Sequence, residues 1–92
     1  MAIAPFRSEE EAVAIANGTE YGLSSSIWTK DISRAHRVAQ KLEVGTVWIN
    51  SWMVRDLAMP FGGIKQSGIG IEGGEHSLDF FSHTKTVSVK ID

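Results

Sequence analysis

The run Trp52-Met53-Val54-Arg55-Asp56-Leu57 sets a large aromatic three residues ahead of a permanent positive charge. A guanidinium is a planar fork of N–H donors that can grip a carboxylate through two parallel hydrogen bonds. A bulky aromatic in a loop can wall an apolar channel. The competing use of the same residues is structural: Arg55 pairs with Asp56 or a more distant acid, and Trp52 fills a core. The pattern supports both.

Other constellations carry less chemistry. Six of the nine glycines lie between Gly62 and Gly74, and glycine is concentrated where backbone turns sharply or approaches something closely. Gly68-Ile69-Gly70-Ile71-Glu72-Gly73 spells G-x-G-x-x-G, but a dinucleotide fingerprint needs a strand leading in and an acid about 20 positions on. Here a glycine loop leads in and the chain ends first, so tight turning and packing is the better reading. Ser67, His76 and Asp79 can be drawn as a hydrolase triad, yet no nucleophile elbow surrounds Ser67. His36, His76 and His83 lack the local spacing of a metal site. With no cysteine, the chain has no disulfide, no zinc–thiolate site and no thiol nucleophile.

Around these residues the elements read as follows. Ala2–Phe6 is a short apolar run expected to form a strand. Ser8 and Glu11 form a capping box, and three acids in the first turn suit the positive end of a helix dipole. A helix is predicted over about 9–17, closed by Gly18 in the left-handed conformation. Leu23–Trp28 reads as a second strand. Asp31 caps a helix in which Ala35, Val38, Ala39 and Leu42 fall on one stripe, with Arg34, Arg37 and Lys41 on a solvated face and Gly45 as the stop. Thr46–Asn50 is β-branched and nearly all apolar, as in a strand covered on both faces.

Strand–helix–strand–helix–strand order predicts an α/β fold with a βαβαβ parallel-sheet unit. Ligands of such sheets bind beyond the carboxyl ends of the strands, where residues 51–58 lie. A further helix is expected from about Gly74 to Ser82. Thr84–Ile91 alternates cleanly, with Val87, Val89 and Ile91 on one face. It has no partner strand nearby in the sequence, so its neighbour is expected in another chain or segment.

Net charge is −2 with acids and bases interspersed, which excludes the basic face of a nucleic-acid binder. No apolar run is long enough to cross a membrane, and no secretory signal opens the chain. A cytoplasmic location is the expectation.

Gly45-Thr46-Val47-Trp48-Ile49-Asn50 and Pro60-Phe61-Gly62-Gly63-Ile64-Lys65-Gln66-Ser67-Gly68-Ile69-Gly70 resemble the C-terminal signature of the NAD(P)-dependent aldehyde dehydrogenase superfamily. Glu20-Tyr21-Gly22-Leu23 and Lys85-Thr86-Val87-Ser88-Val89-Lys90 are similar to it as well. Family members usually read Gly-Arg-Glu where this chain has Gly70-Ile71-Glu72.

The resemblance implies thiolate attack on an aldehyde, hydride transfer to NAD or NADP, and thioester hydrolysis. It places the cysteine and the cofactor domain elsewhere, so the chain is expected to be a fragment that is inactive alone, holds no cofactor or metal and contributes no catalytic residue. Residues 1–83 would belong to the catalytic domain and 84–92 to an oligomerisation strand, with Thr84–Ile91 joining a homo-oligomer. Ser51, Trp52, Arg55 and Phe61 would contact substrate. Arg55 in Trp-x-x-Arg-Asp-Leu is similar to the subgroup acting on carboxylated semialdehydes, such as 2-hydroxymuconic or 2-aminomuconic semialdehyde. A betaine-aldehyde-type enzyme and a stand-alone self-association module are the alternatives.

Overall fold

A computed structural model describes residues 1–92. The first helix, α1, spans Glu9–Asn17. Ser8 Oγ accepts from the Glu11 amide at 3.1 Å, and Glu11 returns its carboxylate to the amide of Arg7 at 2.7 Å. The reciprocal bond therefore reaches one residue further back than a capping box requires. Gly18 caps the end at φ −75°, not in the expected left-handed conformation; its amide donates to Ile15 O from ordinary backbone angles.

A short strand, β1 (Tyr21–Gly22), precedes β2 (Ser24–Ile27). Helix α2, Ile32–Lys41, starts where Asp31 accepts from the Arg34 amide and stops at Leu42, ahead of the expected Gly45. The earlier stop is made by Asn17, whose carboxamide donates to Lys41 O at 2.8 Å and accepts from the Glu43 amide at 2.9 Å. Along the expected stripe, Ala35 is fully buried while Val38, Ala39 and Leu42 are half-buried.

Strand β3, Thr46–Ile49, pairs in parallel with β2, Ser24 facing Thr46 and Ile27 facing Ile49. A two-residue strand β4, Ile64–Lys65, pairs antiparallel with β1. Helix α3, Gly74–Phe81, follows the glycine loop.

One crossover unit, β2–α2–β3, is thus formed where the sequence pattern predicts two. Ala2–Phe6 is exposed and forms no strand, because β2 and β3 pair only with each other. Thr84–Ile91 is likewise exposed and takes no regular structure within the monomer. The expected both-face cover of β3 is realised only at Trp48, which is 7% exposed, while its neighbours are half-buried.

Candidate functional site

The segment after β3 leaves the sheet through Asn50, which sits at φ 51°. Asparagine tolerates this left-handed conformation better than most residues. Its carboxamide accepts from the Thr29 amide at 2.9 Å and donates to Thr29 O at 2.8 Å. That clasp joins the carboxyl ends of β2 and β3, so the loop springs from a defined point. Ser26 Oγ then donates to Ser51 O at 2.6 Å, which uses the Ser51 backbone structurally.

Trp48 and Trp52 meet edge to face with centroids 5.1 Å apart. The Trp48 indole N–H donates to Val54 O at 2.7 Å, folding the loop back over β3. Trp52 remains 61% exposed within this chain. Met53, at φ 59°, turns the chain between the two anchors.

Arg55 makes a separate set of contacts. Its guanidinium carbon sits 4.4 Å from the Phe61 ring centroid, a cation–π distance. Its terminal nitrogen is 3.9 Å from Glu72 Oε1, too long for a hydrogen bond. Phe61 and Glu72 are themselves paired: the Phe61 amide donates to Glu72 O at 2.7 Å and the Glu72 amide to Phe61 O at 2.8 Å. Asp56 caps its own turn, accepting from the Ala58 amide at 2.7 Å. The distant acid, not the neighbouring one, faces Arg55. The four expected substrate contacts therefore form two groups, Ser51 held by Ser26 next to Trp52 against Trp48, and Arg55 over Phe61.

The glycine loop is used for close packing. Gly73, at φ +96°, would place a Cβ 2.2 Å from Met59 O, and a Cβ on Gly45 would lie 1.7 Å from Gly62 O. Gly70 is pressed against the Phe80 ring. β4, which enters the loop, is antiparallel to β1, so the G-x-G-x-x-G run lacks the parallel strand that leads into a dinucleotide fingerprint. Ser67 Oγ accepts from the buried Gly22 amide at 2.8 Å, which commits it to joining β1 to the loop.

Two clusters escaped the sequence reading. Arg34, Arg37 and Lys41 are not merely solvated: all three approach Glu9 of α1, and Arg37 does so bidentately at 2.7 and 2.8 Å. The Arg37 hydrogen bond holds the Glu9 carboxyl below its ordinary range. Their i, i+3, i+7 spacing on one helical face was visible; the acid they share was not. Lys65, at φ 54°, reaches Glu43 at 2.5 Å and the carbonyls of Asn17 and Thr19, drawing β4 towards the ends of α1 and α2.

Against known proteins, residues 1–87 match the model of the aldehyde dehydrogenase family. The 2-hydroxymuconic semialdehyde dehydrogenase of Pseudomonas putida is 58% identical over 89 residues, which is 97% of this chain and 18% of that protein. The 2-aminomuconic semialdehyde dehydrogenase of Danio rerio is 54% identical over 96% of this chain and 18% of its own length. A Bacillus cereus aldehyde dehydrogenase solved as its NAD+ complex superposes with a TM-score of 0.86 at 48% identity, covering 97% of this chain and 18% of that one. The chain thus spans under one fifth of the length of the relatives it matches.

Proposed function

This chain belongs to the aldehyde dehydrogenase family, and from that premise we propose that it forms the substrate-entrance loop and a subunit-docking edge of an NAD(P)-dependent dehydrogenase that oxidises carboxylated semialdehydes to carboxylic acids. The observation that carries the substrate class is Arg55. Its guanidinium carbon lies over the Phe61 ring at 4.4 Å and its donors are not consumed by Glu72 at 3.9 Å. An oriented, permanently charged fork is what a remote substrate carboxylate requires. The substrates named for the Pseudomonas putida and Danio rerio relatives, 2-hydroxymuconic and 2-aminomuconic semialdehyde, agree with that chemistry. A cationic betaine-type aldehyde would meet repulsion at Arg55.

Trp52, exposed and braced by Trp48, would wall the path along which the aldehyde enters, with Ser51 at its root. NAD or NADP would supply the hydride acceptor. The family resemblance places its cradle elsewhere in the enzyme, and the part proposed for this chain is binding and orientation of the substrate. Residues 84–92 would dock on another subunit: Val87, Val89 and Ile91, which would share one face of a strand, are each at least 75% exposed, the exposure that a strand awaiting a partner presents.

The test is a hybrid of the Pseudomonas putida relative in which this chain replaces the matching 89 residues. A charge-assisted hydrogen bond is worth roughly 1.5–3 kcal/mol, so Arg55→Ala should raise KM for a carboxylated semialdehyde about ten- to a hundredfold. A neutral aldehyde of similar length should change far less. Equal losses on both would remove the carboxylate role.

A further inference from the structure

We infer that Glu72 is a specificity-determining residue of the same site: an internal counter-ion that stands against the Arg55 fork and is displaced by the substrate carboxylate. This deepens, and rests on, the reading of Arg55 as the carboxylate anchor. Three features of the site carry it.

The first is that Glu72 does not hold Arg55 in place. The guanidinium carbon lies over the Phe61 ring, 4.4 Å from its centroid, and Phe61 is fixed by main-chain hydrogen bonds to Glu72 that involve no side chain. Removing the carboxylate charge leaves that mount intact.

The second is that the Arg55–Glu72 contact is loose. It is 3.9 Å long, and the Glu72 side chain is 62% exposed against 27% for Arg55. Exposed pairs of this kind are weak. A substrate carboxylate that reaches hydrogen-bonding distance on both arms of the fork therefore outcompetes Glu72, while one that reaches only a single arm gains little over it.

The third is that no other carboxylate of this chain pairs with Arg55. The neighbouring Asp56 is engaged with the Ala58 amide. Within this chain, Glu72 is the acid that stands nearest the Arg55 fork. A neutral aldehyde neither displaces Glu72 nor is repelled by it. The acid thus sets the preference between acidic and neutral substrates, acting through Arg55 with no contact to the reacting carbon.

In the hybrid enzyme, the readout is the ratio of KM for a carboxylated semialdehyde to KM for a neutral aldehyde of equal length. Glu72→Gln should lower that ratio two- to fivefold, the range set by a weak exposed pair. Glu72→Asp, which keeps the charge, should return the ratio towards that of the parent. At about 1 M salt, where the screening length is near 3 Å, the difference between parent and Glu72→Gln should shrink. In the Arg55→Ala background, Glu72→Gln should not move the ratio.

An unchanged or raised ratio in Glu72→Gln overturns the counter-ion role, as does a parallel fall in kcat on both substrates. So does an equal effect with and without Arg55. The two readings fail separately. If Arg55→Ala is indifferent to substrate charge, the anchor itself is wrong. If Arg55→Ala discriminates but Glu72→Gln does not, only the counter-ion is.

Discussion

A guanidinium placed over a phenyl ring cannot be exchanged for an ammonium without loss, because the ammonium is a compact, strongly hydrated point charge with no planar fork. Arg55→Lys in the hybrid enzyme is therefore expected to behave on carboxylated semialdehydes more like Arg55→Ala than like the parent; recovery to within about twofold would show that charge alone suffices. At the same scale, Glu9 makes the α1–α2 contact sensitive to acid. Hydrogen bonding from Arg37 lowers the Glu9 carboxyl below its ordinary 4.5, and the Arg34 amide lowers Asp31 below 3.8. A carboxylate depressed on folding stabilises the fold above its unfolded value and loses that contribution as pH falls through its folded value. Protection of α1 amides from hydrogen exchange should thus hold at neutral pH and decline below about pH 4.5. Glu9→Gln should start lower and lose the part of that decline due to Glu9, while the Asp31 part persists. An identical pH profile in parent and variant would mean that Glu9 does not link the helices.

Elements divide into those that carry their own instructions and those that do not. Helices α1 and α2 begin at Ser8 and Asp31 as their cap chemistry demands, because a cap and the amide it satisfies lie within one turn. Their ends were harder to read. The stop of α2 depends on Asn17 at the end of another helix, and no local pattern announces it. The β1–β4 pair joins residues Tyr21 and Lys65 through two-residue strands too short to show any periodicity. Within the glycine loop, positions differ sharply. Gly73→Ala meets both a positive φ and the Met59 carbonyl, and should destabilise the loop by on the order of 1–3 kcal/mol. Gly68 has only ordinary contacts at 3.8 Å, so Gly68→Ala should cost under about 1 kcal/mol. Thermal unfolding of the hybrid carrying each change separates them, and equal shifts would remove the steric distinction.

Over the whole molecule, the surface is too large for the mass. A compact monomer of this size exposes about 5,300 Å² by the usual scaling, yet this chain exposes 7773 Å². Its radius of gyration is 18.6 Å, where about 12 Å is typical of a domain this long. Only Gly22, Ala35 and Trp48 are buried. A cavity of about 570 Å³ opens between α1, β2 and α2, lined by apolar residues that include Val13, Ala16, Val38 and Leu42. These faces call for cover from other polypeptide. Size-exclusion chromatography with light scattering on the 92-residue chain should therefore show association, reduced by the double change V87K and V89K. A monodisperse, thermally stable monomer would contradict both the surface argument and the docking role of Thr84–Ile91.

The sequence by itself determined what depends on neighbours along the chain: the caps, the α2 stripe, the parallel pairing of the Leu23 and Thr46 segments, the loop bearing Trp52 and Arg55, and the motif runs that mark the family. The caps, the stripe and the motif runs are each written within a few residues, at spacings imposed by helical or strand geometry, and the parallel pairing follows from the single helix between the two strand patterns. Only the tertiary structure decided that Arg55 rests on Phe61 opposite Glu72, that three α2 cations share Glu9, that Asn17 ends α2, and that Ala2–Phe6 finds no sheet to join. Those outcomes depend on which distant groups are brought within a few ångströms of one another, and periodicity along a chain carries no record of such distances.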